Sequence, residues 1–217
     1  MAPSEPALRP LLKDQAYQAL KEGIIGGTFA PGTFLSERQL AARLEMSKTP
    51  VRAALERLEN EGFVAVSPQQ GIVVRELPLH EIVDLFDIRV ALETFVLRAS
   101  AGRLDAGQVA RLEANLAEQK ESAEREDQAR STRLDADFHL MLCEFSGNRE
   151  ILRVMERLRD KLFQVVLKIH LQDVKRLHTS YAEHAAIARA LIDGDGEAAA
   201  AQAAEHLQYG KQFLVSR

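Results

Sequence analysis

The chain has 217 residues, a formal net charge of −4, and 46% hydrophobic and 28% charged residues. That length exceeds a usual single domain and suits a soluble globular protein with a substantial core, while one cysteine, Cys143, excludes an internal disulfide framework and fits a reducing cytoplasm. No apolar run approaches the roughly 18 residues of a membrane span, and the opening MAPSEPALRP lacks the apolar centre of a signal peptide.

The first seven or so residues are expected to be a mobile tail. Ala16, Tyr17, Leu20 and Ile24 then mark a supporting helix, closed by Gly26-Gly27 and the Pro31-Gly32 turn. Ser36 is placed to cap the next helix, with Gln39 as the reciprocal partner of a capping box, and Leu40, Ala41 and Leu44 form its inner face. After the break at Glu45-Met46, Ser47 offers a second cap, and Pro50 falls in the first turn, where its missing N–H does no harm. Val51, Ala54, Leu55 and Leu58 make one apolar stripe, which Gly62 ends. Phe63–Val66 and Ile72–Val74 are β-rich runs joined by the turn-forming Ser67-Pro68-Gln69-Gln70-Gly71.

Helix, helix and hairpin in that order predict a winged helix-turn-helix over residues 8–77. The outer face of its second capped helix carries Lys48, Thr49 and Arg52 near the N-terminus, where a recognition helix meets base edges and phosphates. Ser47, Lys48, Thr49 and Arg52 are therefore the predicted reading set. Charge alone does not argue for nucleic acid: residues 1–77 hold nine Lys plus Arg against nine Asp plus Glu. A protein-interaction module with solvated charges is the plainer alternative. The joint spacing of caps, stripe, turn and wing favours DNA.

From Pro78 onward helical periodicity takes over, with helices predicted at about 79–101, 106–124, 128–145, 149–170, 174–193 and 196–214. Their short connectors, Ser146-Gly147-Asn148 and Gly194-Asp195-Gly196, imply an antiparallel all-α bundle over residues 78–217. The fold class is thus mainly α, a winged head followed by a helical body. All six histidines lie at or after position 80. Asp135 and His139 stand four apart and project from one helix face, while His184 and His206 sit on two later helices beside small residues that permit close approach. Three imidazoles and a carboxylate spread over facing helices suit zinc first, or nickel or manganese, while hydrogen-bonded core histidines are the plainer reading of the spacing alone. His80, His170 and His178 have no motif partners and are read as structural or surface groups. Cys143 reads as a small buried hydrophobe.

The stretch PGTFLSERQLAARLEMSKTPVRAALERLENEGFVAVSPQQGIVV resembles the DNA-binding domain of the GntR family of bacterial transcription regulators. The resemblance implies DNA contacts by Arg38, by Ser47, Lys48 and Thr49, by Arg52, and by Gly71 of the wing. The chain departs from the family pattern with Lys48 where Arg is common, Glu45-Met46 where Gly-Val is common and Ala53 where Glu is common. Lys lacks the bidentate fork to guanine, so operator preference does not carry over with DNA binding. LDADFHLMLCEFSGN, YAEHAAIARALIDGDGEAA and AEHL resemble the three blocks of the FCD effector domain of the FadR subfamily. In metal-binding members those blocks supply an Asp and three His, here Asp135, His139, His184 and His206. Arg89, in DIRVALE, resembles an arginine directed into the effector pocket, where it could clamp a carboxylate; its alternative is a surface pair with Glu93.

The implied protein is a homodimeric, cytoplasmic transcription regulator, most simply a repressor. It would bind a pseudo-palindromic double-stranded operator under the control of a small organic-acid or sugar-acid effector at the metal, with no membrane partner. Two other readings stay open at this point. One is a metal-dependent hydrolase or isomerase built on the Asp/His cluster, and the other a regulator with an apolar effector and no metal.

Overall fold

The computed structural model describes residues 11–67 and 71–216. The expected N-terminal tail, the first residues of the predicted head and Pro68-Gln69-Gln70 of the wing turn lie outside them. The chain divides into two compact units, residues 1–77 and 78–217.

In the first unit α1 (Leu12–Ile25), α2 (Glu37–Arg43) and α3 (Lys48–Asn60) accompany the strands β1 (Phe34–Leu35), β2 (Val64–Ser67) and β3 (Gly71–Val74). The stripe Val51, Ala54, Leu55, Leu58 of α3 is buried against Ala16, Tyr17, Leu20 and Ile24 of α1. Burying each of the larger side chains, Val51, Leu55 and Leu58, contributes about 1.5–3 kcal/mol to holding α3 on its support. A polar clamp reinforces the packing: the Tyr17 hydroxyl donates to the Glu61 carboxylate (2.7 Å) while the Arg57 guanidinium stacks 3.6 Å above the Tyr17 ring.

Two local expectations need correction. Neither Ser36 nor Ser47 makes a side-chain capping bond. Ser36 leads straight out of β1, and α2 starts on the backbone bond from Leu40 N–H to Ser36 C=O (2.9 Å) without the predicted box. The wing is also a three-stranded antiparallel sheet in the order β1-β3-β2, with Phe34 opposite Val73 and Val64 opposite Val74. A two-residue strand is too short to show alternation, which is why β1 escaped the sequence pattern.

The second unit contains α4 (Leu79–Ser100), α5 (Ala106–Glu124), α6 (Gln128–Phe145), α7 (Arg149–Gln172), α8 (Lys175–Asp193) and α9 (Gly196–Val215), each within two residues of its predicted ends. Asp105 and Gln108 form a full capping box on α5, Asn148 caps α7 and Asp195 caps α9. α4 packs on α9, α6 on α7, α8 on α9, and α5 on both α6 and α8. Ala199, Ala200 and Ala203 are fully buried on α9, so small side chains allow that helix to lie close to its neighbours. Gly102 and Gly194 have φ of +67° and +86°, and a Cβ on Gly102 would stand 3.2 Å from the Gly194 Cα. This crossing of the α4 and α8 ends therefore favours glycine twice over.

Candidate metal centre and DNA-reading face

α6 presents Asp135 and His139 one turn apart on its inner face, α8 presents His184, and α9 presents His206. All four are buried, and one ligand atom of each lies within 4.8 Å of every other. His184 Nε2 stands 3.2 Å from His139 Nε2 and 3.2 Å from His206 Nε2, with Asp135 Oδ1 at 3.6 Å. Imidazole nitrogens about 2.1 Å from a shared ion stand roughly 3.0–3.4 Å apart for ligand angles between a right angle and the tetrahedral one. The spacing therefore fits one cation.

The outer partners make the same point by fixing tautomers. Nδ1 of His139 meets the Glu93 carboxylate at 2.6 Å, and Nδ1 of His206 meets that of Glu183 at 2.6 Å. Nδ1 of His184 meets Gln119 Oε1 at 2.8 Å, an orientation set because the Gln119 amide donates to Asn115 Oδ1. Each acceptor oxygen demands N–H at Nδ1, which leaves a lone pair on each Nε2. Three lone pairs and a carboxylate then converge without a proton among them, an arrangement a divalent cation satisfies. Stacking of Phe138 on the His184 ring, centroids 4.3 Å apart, holds that ring in place. Arg176 Nη2 also approaches His206 Nδ1 (3.1 Å), but both are donors gathered around the same Glu183 carboxylate.

The electrostatics follow from burial and partners. Burial opposes the Glu93 charge, but Arg89 and His139 outweigh it and hold the carboxyl at about 2. Burial likewise opposes Glu183, where His206 and Arg176 hold the carboxyl at about 2. Asp135 is lowered despite burial, chiefly by His139 and Arg89. Burial lowers His206 to about 4 and pushes His184 well down, with neighbouring His206 and His139 adding to the effect on His184. Both imidazoles thus stay neutral, as ligands must.

A pH dependence follows for the metal-free protein. The unfolded chain protonates these histidines as pH falls below about 6.5, whereas the folded state resists, so stability drops from there toward the folded value of about 4 for His206. Thermal melts in chelator should therefore show a falling melting temperature between pH 6.5 and 5, above the range where ordinary carboxylates titrate. A flat profile across that window would contradict the assignment.

Sequence reasoning missed Glu93, Gln119 and Glu183. The signal was present for two of them: Arg89 and Glu93 fall on the inward stripe of α4 with Ile82, Phe86 and Val96, and Gln119 follows Leu112 and Asn115 on α5. Charged or amide side chains at core-facing positions need partners. Arg89 is 2% exposed, with Nε donating to Glu93 Oε1 at 2.8 Å. The predicted pair with Glu93 forms, but at the site and not on the surface. Burial also pushes the Cys143 thiol pKa up, consistent with an inert core group.

On the first unit Arg38, Ser47, Lys48, Thr49, Arg52 and Gly71 are all exposed. Arg52 pairs bidentately with Glu37 of α2, Nε to Oε1 at 3.0 Å and Nη2 to Oε2 at 2.9 Å. The N-terminal turn of α3 is accessible while its opposite face is the core, as groove insertion requires.

Known proteins agree on what this combination is. Residues 12–74 match the model of bacterial regulatory proteins of the gntR family, and residues 84–209 match that of the FCD domain. The chain is 33% identical over 180 residues to the Nta operon transcriptional regulator of Aminobacter aminovorans, covering 83% of each chain. It is 29% identical over 197 residues to the HTH-type transcriptional repressor RspR of Escherichia coli K12, covering 91% of this chain and 86% of that one. In fold it superposes on Escherichia coli McbR/YncC with a TM-score of 0.80 at 24% identity, covering 96% of this chain and 99% of the other. A winged head with the N-terminal turn of α3 exposed and a helical body with an inward Asp/His cluster thus belong to one scheme, and the chain is a member of the GntR family with a C-terminal FCD domain, a DNA-binding transcription regulator and not an enzyme.

Proposed function

We propose that this regulator is a cytoplasmic homodimeric repressor of a pseudo-palindromic operator, released or retained by a small organic or sugar acid bound beside a divalent cation. Asp135, His139, His184 and His206 would hold that cation, zinc before nickel or manganese. The observation that carries the reading is the convergence of three Nε2 lone pairs and a carboxylate, each ring locked by its own outer acceptor. When bound, the cation supplies positive charge and open coordination positions for an acid. Arg89 lines, together with Asp135, two small cavities next to the cluster and is the second anchor for a carboxylate.

The unit of residues 8–77 is assigned the DNA contacts, with Lys48, Thr49 and Arg52 entering the major groove, Ser47 and Arg38 flanking them, and Gly71 approaching from the wing. Residues 78–217 are assigned effector binding and dimerisation. Ile88 and Phe95, seven apart on α4, expose 39% and 55% of their surface, which supports a second copy as the partner of that face. The repressor role is supported by the relative that bears that name. Among the described residues no helix is long and apolar enough to cross a membrane.

A thermal-shift screen of organic and sugar acids, with and without chelator, tests the effector reading. A native-state ligand raises the melting temperature. An acid-dependent rise that vanishes on chelation is expected, and a rise indifferent to chelation would contradict the role of the metal.

A further inference from the structure

The three side chains assigned to the major groove differ in what they can read. Lys48 is a point charge and Thr49 a single hydroxyl, so of the three Arg52 is the one able to make two parallel bonds to a base. Its guanidinium is already engaged along one side: Nε donates to Glu37 Oε1 at 3.0 Å and Nη2 to Glu37 Oε2 at 2.9 Å. Glu56, four residues on along α3, is the partner that helix spacing offers, yet both bonds run to Glu37 at the first position of α2. An acidic side chain thus lies on the face assigned to polyanionic DNA, where its charge works against binding.

The edge that Glu37 occupies decides what remains. A guanidinium carries five N–H donors in one plane. Bonds from Nε and Nη2 use one edge of that plane and leave the next, formed by Nη1 and the second N–H of Nη2, as a pair of parallel donors. Guanine presents two acceptors side by side in the major groove, N7 and O6, whereas each other base offers at most one. The Arg52 side chain is 61% exposed and that of Glu37 29%, so the carboxylate is the inner member of the pair and the guanidinium the outer. A long exposed arginine without such a support samples many rotamers and is free to pair with phosphates, contacts that carry no base information.

We propose that Glu37 is a specificity-determining residue of the DNA-reading face: it fixes the free edge of Arg52 for N7 and O6 of a guanine, and its charge keeps the same guanidinium off the phosphates. General affinity for duplex DNA is thereby lowered and discrimination at one base pair raised. This rests on the assignment of Arg52 to the major groove above and adds the positioning residue through which Arg52 selects its base. A merely structural role has different consequences, because an exposed ion pair adds little to stability and its loss would weaken binding to every sequence alike.

The test is selection of bound duplexes from a randomised DNA library by the full-length protein, as wild type, Arg52→Ala, Glu37→Ala and the double variant, followed by binding isotherms on the selected duplex and on an unrelated one. Wild type should prefer guanine at one position by roughly 5- to 150-fold, a preference that Arg52→Ala abolishes. Glu37→Ala should lower that preference about fivefold or more, while the unrelated duplex binds as tightly as before or tighter. In the Arg52→Ala background the same substitution should change nothing at that position. Should Glu37→Ala fail to fold, Glu37→Gln, which keeps the shape and one acceptor oxygen, should show the same change in smaller measure. An intact guanine preference in the variant that folds, a loss shared equally by all duplexes, or an effect at that position that persists without Arg52 overturns the proposal and leaves Arg52 in the reading set. A base other than guanine at the Arg52 position likewise overturns the proposal alone, whereas an Arg52→Ala profile identical to wild type removes Arg52 from the groove and the proposal with it.

Discussion

Replacing His184 with alanine should cost the protein its tight site for a divalent cation. His184 Nε2 lies within 3.2 Å of both other imidazole nitrogens, so it is the ligand nearest the centre of the set. Its loss should weaken affinity by more than the roughly 100-fold that loss of an outer partner can cost. Competition with a chromophoric chelator would measure this. The fold should survive, because the alanine replaces a neutral buried ring beside Phe138 and leaves no unpaired charge, although the cavity will lower the melting temperature. Wild-type affinity in a folded His184→Ala protein would remove the cluster as the metal site. The same variant should lose any shift in operator binding caused by an acid, since coupling of about 1–3 kcal/mol between body and head requires the ligand to be held.

Arg52→Ala should weaken operator binding by roughly 5- to 150-fold if the guanidinium reads a base. Arg52 is well placed for this: its side chain is 61% exposed, and its bond to Glu37 leaves Nη1 for another acceptor. The Glu37 carboxylate, itself held below its ordinary value by the hydrogen bond from Arg52, sets the plane of the fork. Binding isotherms at several salt concentrations separate two roles. Loss of a base contact relaxes discrimination at one position, whereas loss of a phosphate contact lowers affinity across all sequences and reduces the salt slope by about one. An unchanged operator affinity would take Arg52 out of the reading set.

Much of this molecule could be read from periodicity. The six body helices carry apolar stripes long enough to fix their extents, and residues such as Asn148, Gly194 and Asp195 punctuate them chemically. Asp135 and His139 were legible as a pair because one helix holds both. Their union with His184 and His206 depended on the family blocks, since no local rule connects helices so far apart in sequence. The outer partners were harder still. Glu93 reaches His139 across 46 positions and Gln119 reaches His184 across 65, contacts that only the packing of α4 and α5 on the other helices creates. Their clue was polarity on an inward stripe, not spacing to the ligands. His170 illustrates the same limit, because its partner Thr132 lies 38 residues away on another helix. At the head, serine identity suggested side-chain caps at Ser36 and Ser47 that the backbone geometry does not use.

If Asp135 and three locked imidazoles share one cation, anomalous diffraction from crystals grown with zinc will locate it. Data collected above and below the zinc absorption edge should give a single strong difference peak per chain in the body, inside the polygon of His139, His184 and His206 Nε2 and Asp135 Oδ1. A map without a peak there, or with zinc bound only to surface histidines such as His80 and His178, would rule out a shared cation at this cluster.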